Sequence, residues 1–135
     1  MIPRGIRNNN PGNIRKSAIN WKGETPGNDP DFETYATPED GIRAMSRILL
    51  TYQHKHGLAT VRQMIERWAP PCENDSDAYV AHVAETCMVH PDDPIDLESD
   101  PSMFVAFVAT IIRHENGEQP YPLVVVEEGV RRALS

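Results

Sequence analysis

Apolar positions divide the chain near residue 37. Beyond that point they recur every three or four residues, the spacing of an amphipathic helix. Ile42, Met45, Ile48, Leu49 and Tyr52 fall on one helical face. The start of that helix is written in Thr37-Pro-Glu-Asp40: a capping hydroxyl, a proline suited to the first helical position, and acids at the positive dipole end. Gly57 ends it. Thr60 caps a shorter helix that runs through Trp68 and stops at Ala69-Pro-Pro71. Asp75 or Ser76 opens a third, with Tyr79, Val80, Val83 and Cys87 inward. A polar connection over residues 89–99 leads to Asp100-Pro101, again a capping acid before proline. Phe104, Phe107, Val108 and Ile111 form the stripe of this fourth helix, and Asn116-Gly117 closes it, since both residues tolerate a left-handed backbone. A last helix is expected over residues 122–134.

Residues 1–36 lack that period. The run Arg7-Asn-Asn-Asn-Pro-Gly-Asn13 is dense in turn formers, and Trp21-Lys-Gly23 and Gly27-Asn-Asp-Pro30 are further turns. Short extended pieces fit near 13–19 and 32–35. The expected class is mainly α (α+β): one domain over 1–135, with a small β-lobe at 1–36 and a helical lobe at 37–135. A chain of 135 residues is one domain by size and can bury a core.

Composition narrows the function classes. A net charge of −7 argues against general nucleic-acid binding. The charge is uneven: residues 1–23 hold Arg4, Arg7, Arg15, Lys16 and Lys22 and no acid, leaving 8 basic against 20 acidic side chains in the remainder. Such a basic segment either faces an anionic polymer or pairs with the acidic body. No run approaches the ~18 apolar residues of a membrane span, and the N-terminus has no apolar core of a secretory signal. Cys72 and Cys87 are too few to define a disulfide framework. His54 and His56 would not share a helix face, so no metal site is expected.

One carboxylate stands out. Glu115 lies eleven residues after Phe104, still on the buried stripe and in the last turn before a glycine. Burial and the negative helix end both disfavour its charged form. A carboxylic acid that stays protonated near neutral pH is what glycoside cleavage needs. The competing reading is a solvated Glu115 on a fraying helix, or one paired with Arg113 or an N-terminal arginine. Asn9, Asn10 and Asn13 offer bidentate amides suited to sugars, with Trp21, Tyr35 and Tyr121 as stacking rings. Equally, the asparagines can satisfy the turn's own backbone. Trp68 reads as core.

Arg4-Gly-Ile-Arg-Asn-Asn-Asn-Pro-Gly-Asn-Ile-Arg15, Trp21-Lys-Gly, Phe32-x-x-Tyr35, Gly41-Ile-Arg-Ala44, Trp68-Ala-Pro-Pro-x-Glu-Asn74 and Arg113-His-Glu-Asn-Gly117 together resemble a family of phage virion-associated structural proteins, over nearly the whole chain. Asn9-Asn10-x-Gly12-Asn-Ile14, Phe32-x-x-Tyr35 and Gly41-Ile-Arg also resemble, in order, part of the pattern of bacterial glucosaminidases and lytic transglycosylases. In those enzymes a helix ending in the catalytic Glu precedes the asparagine turn. Here the comparable helix, ending Ile-Ile-Arg-His-Glu115-Asn-Gly, comes last. The resemblance implies a lysozyme-like fold in circularly permuted order, which termini close together at the surface would permit. It requires the Glu115 carboxylate within about 12 Å of the turn at 8–13, a limit already past the carboxylate spacings that glycosidases use.

The resulting expectation is a peptidoglycan-degrading β-glycosidase, a muramidase or lytic transglycosylase. Glu115 is its catalytic acid, Asn9, Asn10, Asn13, Tyr35 and Tyr121 bind substrate, and no cofactor is needed. A two-carboxylate mechanism needs a second acid across the cleft. Glu24, Asp29, Asp31 and Glu33 lie in the β-lobe, none singled out by spacing, and Glu24 is the candidate. Glu118, past the glycine, reads as a solvated loop acid. A one-carboxylate transglycosylase would need no second acid. The expected partner is the glycan strand of peptidoglycan, bound by a monomer without nucleic acid or membrane. The expected setting is a phage virion, or cytoplasmic synthesis followed by delivery to the periplasm or cell wall. The alternative is a non-catalytic virion or wall-binding module.

Overall fold

The computed structural model describes residues 1–72 and 75–135. Glu73 and Asn74, the end of the motif that begins at Trp68, lie outside the described residues. In chain order the elements are α1 (Arg4–Arg7), β1 (Glu24–Thr25), β2 (Thr34–Tyr35), α2 (Pro38–His54), α3 (Val61–Trp68), α4 (Ser76–Cys87), α5 (Pro101–Asn116) and α6 (Leu123–Leu134). The protein is mainly helical with a small two-stranded sheet, as the periodicity predicts.

Each of the helices from α2 to α5 begins where a side chain can cap it. The hydroxyl of Thr37 accepts from Asp40 N, and that of Thr60 from Gln63 N. The carboxylates of Asp75 and Asp100 accept from Ala78 N and Met103 N. Each bond satisfies a backbone donor that the helix leaves unpaired. α5 stops at Gly117, which takes φ 75°. Its predicted stripe is wholly buried: Phe104, Phe107, Val108 and Ile111 are all at 0% exposure. α2 packs along α6, and α5 lies between α4 and α6, while α3 packs on α4.

The first 36 residues carry less strand than expected. Glu24 pairs with Tyr35 and Thr25 with Thr34, antiparallel. The extended piece expected at 13–19 reduces to one bridge, Arg15 to Phe32. The short helix α1 and strand β1 were not legible, because each is too short to show a period. α1 holds its place by packing on α5. A clamp fixes the lobe: Arg4 donates from Nε and Nη2 to the two carboxylate oxygens of Asp29, at 2.5 and 2.6 Å. Asp29 also accepts from Asn8 Nδ2 and from the backbone of Asp31 and Phe32, each at 3.0 Å. The Arg4 guanidinium holds the Asp29 carboxyl well below the usual carboxylate range, against the opposing effect of burial. Cys72 is exposed, Cys87 buried, and both are free.

Candidate active site

The turn at 8–13 is built from its own asparagines. Asn9 and Asn13 adopt left-handed backbone, φ 52° and 53°, a conformation asparagine tolerates. Asn10 is fully buried: its amide donates to Ile14 O at 2.9 Å and Glu33 O at 3.0 Å, and its oxygen accepts from Ile14 N at 2.9 Å. Asn9 donates to Tyr35 O at 3.0 Å and Ala36 O at 3.3 Å. The amides of Asn9 and Asn10 therefore hold the turn against β2, and the expectation that they bind substrate is corrected. Asn13 differs. It lines the cleft, and its amide points across it.

The end of α5 docks on that turn. Asn13 Nδ2 donates to Glu115 Oε1 at 3.3 Å. Asn116 Nδ2 donates to Pro11 O at 2.8 Å, fixing the helix end to the same loop. From the other side Tyr79 of α4 donates its hydroxyl to Glu115 Oε2 at 3.1 Å. Glu115 is half-buried, so the solvated alternative does not apply. Burial pushes its carboxyl above the ordinary value, and the bonds from Asn13 and Tyr79 oppose this without overcoming it. Burial, with the adjacent Glu115, also pushes the Tyr79 phenol well up, so it stays a donor. His114 stacks on the Tyr79 ring at 4.2 Å and meets His82 at 2.7 Å, backing the tyrosine.

Tyr79→Phe should therefore move the alkaline limb of any Glu115-dependent activity to higher pH. The lost donor favours the ionised carboxylate, so its removal keeps Glu115 protonated further up the scale. A pH–rate profile checks this. An unmoved or downward-shifted limb would separate Tyr79 from the acid.

Glu115 opens into a cleft of about 450 Å³ between the turn, the lobe and helices α2 and α3. Ile48, Tyr52 and Trp68 line one side, and Arg15 and Phe32 the other. Tyr52 and Trp68 meet edge to face, with centroids 6.3 Å apart. Trp68 is thus half-buried at the cleft rather than in the core. Tyr52, Trp68, Phe32 and Arg15 are the site residues that sequence reasoning missed. Tyr52, with its cleft neighbour Ile48, sits on the same apolar stripe of α2 as the core. For Trp68, its place just before Ala69-Pro-Pro71, where the helix must stop, was the available signal.

The remaining expected positions lie elsewhere. Tyr35 is 1% exposed and belongs to the core, so it cannot stack on a ligand. Tyr121 is half-buried beyond the end of α5 with its hydroxyl enclosed, and it does not line the cleft. Burial and the charge of Glu39 push that phenol up to about 12. Glu24 accepts from Trp21 N at 3.0 Å and lines a separate concavity with Lys16 and Glu33. As the second catalytic carboxylate it is corrected: its Oε2 serves the lobe, and it does not line the cleft that holds Glu115. Among the described residues, Glu115 is the one carboxylate lining the cleft.

Glu33 is 3% exposed, and its Oε2 has no hydrogen-bond partner among the described residues. Burial raises its pKa first, and the neighbouring Glu24 adds to this, against smaller effects from Lys16 and the Ser17 backbone. A raised folded-state value means that the protein loses stability as pH climbs past the ordinary value of 4.5, because the unfolded chain ionises first. Glu33→Gln does not titrate. It should exceed wild type in urea stability at pH 7, with the gap closing toward pH 4. An equal gap at both pH values would rule out the titration.

No family model matches the chain. The chain is 39% identical over 130 residues to Protein P5 of Pseudoalteromonas phage PM2, covering 93% of this chain and 79% of that protein. It belongs to the family of that phage protein. Among the described residues no helix is long and apolar enough to cross a membrane.

Proposed function

We propose that this protein is a peptidoglycan-degrading β-glycosidase, a muramidase or lytic transglycosylase with Glu115 as general acid. One observation carries the reading: a half-buried carboxyl, biased toward its protonated form, ends a helix at an aromatic-lined cleft and is held 3.3 Å from Asn13. Asn13 is its positioning residue, and Tyr52, Trp68 and Phe32 offer rings for sugar faces. A lysozyme-like domain in permuted order accounts for an acid that arrives after the turn it packs against. The phage relative fits a virion-associated lytic role.

The single cleft carboxylate favours one-carboxylate chemistry. Glu115 gives its proton to the bridging oxygen as the C1–O bond breaks. The resulting carboxylate then takes the proton of the same sugar's 6-hydroxyl as that oxygen bonds to C1, leaving an anhydro end and a restored acid. Water in place of the 6-hydroxyl gives hydrolysis, and mass spectrometry of the products tells the two apart. The same absence of a second acid, among the described residues, also favours the rival reading of a non-catalytic wall-binding module. Loss of turbidity from purified cell walls, with wild type and Glu115→Gln, decides. Clearing by wild type alone supports the glycosidase. Equal clearing by both removes Glu115, and wall binding without clearing by either leaves the module.

A further inference from the structure

Among the described residues, the cleft is lined by one lysine or arginine, and it forms no salt bridge. Arg4 and Arg15 both lie over the Phe32 ring, at 4.4 and 5.0 Å from its centroid. Arg4 is committed: its guanidinium grips Asp29 and reaches Asp31 at 3.3 Å. Arg15 lines the cleft, is exposed, and forms no salt bridge among the described residues. Its backbone is pinned by the bridge to Phe32, and its side chain rests on that ring. A guanidinium stacked on an aromatic ring loses little further freedom on binding and presents its donor fork to a planar anion. In a protein of net charge −7, 20 acidic side chains are available to neutralise such a group. Among the described residues none of them forms an ion pair with Arg15, and Glu115 shares the cleft with it.

We infer that Arg15, seated on Phe32, selects a glycan bearing a carboxylate, the lactyl group of a muramic acid unit, over an uncharged amino-sugar polymer. The inference rests on the glycosidase reading and assigns that site its specificity. Arg15 is the one lysine or arginine among the described residues lining the cleft, which places a positive charge beside the bond to be cut and complements an anionic sugar. The charge-assisted bidentate pair is worth more than a neutral hydrogen bond at the same place.

The test uses the full chain carrying Glu115→Gln, so that ligands persist, and reads binding by calorimetry. The probes are a chitin oligomer and a peptide-free oligomer of equal length alternating N-acetylglucosamine with N-acetylmuramic acid. The muramyl oligomer should bind at least about tenfold more tightly, the scale of one charge-assisted hydrogen bond of ~1.5 kcal/mol. Adding Arg15→Gln should collapse that ratio toward one, and Arg15→Lys should keep part of it, since charge remains without the fork. Arg15 is exposed, and circular dichroism verifies that each variant is folded. A ratio near one without the Arg15 change, or a ratio unmoved by it, overturns the specificity while leaving the glycosidase reading to the turbidity assay. Binding of neither oligomer also overturns the specificity, and the turbidity assay alone decides the glycosidase reading.

Discussion

Replacing Glu115 by glutamine is expected to lower the rate of wall clearing at least about a hundredfold, the lower end of what a positioned proton donor contributes, while making the protein more stable at neutral pH. The amide fits the same contacts. Its oxygen can still accept from Asn13, and its nitrogen can donate to the Tyr79 hydroxyl where the carboxylate accepted from it. What disappears is a titration. The folded protein holds the Glu115 proton more tightly than the unfolded chain, because burial outweighs both hydrogen bonds. Below the ordinary value of 4.5 both states are protonated and the carboxyl is neutral to stability. Above it the unfolded chain ionises first, and wild type loses stability until the folded-state value is passed. Glutamine escapes that loss. Denaturation at pH 4 and pH 7 should therefore show a gap in favour of the variant only at the higher pH. A variant that is less active and also less stable at pH 7 would mean that the carboxylate is a structural tie and not a strained acid.

Much of this arrangement is legible in sequence, and the reason is local. Thr37, Thr60, Asp75 and Asp100 cap the backbone within three residues of themselves, so their roles are readable from a short window. The stripe ending in Glu115 is readable for the same reason. It does not say which side chains face core and which face cleft. Ile42 and Met45 are fully buried, whereas Ile48 and Tyr52, on the same stripe, line the site. Periodicity reports a face, and a cleft floor is as apolar as a core. The asparagines were ambiguous because an amide satisfies a backbone and a sugar with the same two groups. Only the fold separates Asn10, saturated by Ile14 and Glu33, from Asn13, which reaches Glu115 across 102 positions of chain. No local window contains that contact. The expectation of it came from the resemblance.

Gly41→Ala is expected to damage stability and activity together, and the geometry says why the two are joined. Gly41 sits in the first turn of α2, buried against the asparagine turn. A methyl group there would lie 1.9 Å from Asn9 O, far inside van der Waals contact, and 3.1 Å from Pro11 Cδ, a tight approach. The obstacle is backbone, so no rotamer change relieves it. The turn cannot yield alone either, because Asn9 and Asn10 bind it to the strand at Tyr35 and to Glu33. Overpacking of this kind typically costs ~1–3 kcal/mol, and more where the backbone cannot shift. Whatever shift does occur moves Pro11 and Asn13 relative to the end of α5, loosening the bonds from Asn116 and to Glu115. Gly129→Ala is the matched control. Its methyl would meet Ile42 Cγ2 at 2.4 Å, so it strains the contact between α2 and α6 without touching the turn. Both variants should unfold at lower urea concentration. Measured where each is fully folded, the clearing rate per molecule should fall at least about tenfold in Gly41→Ala, since a misplacement near 1 Å at a reacting group is that costly, and far less in Gly129→Ala. Equal rates in the two variants would mean that the turn supports the fold but does not position the acid.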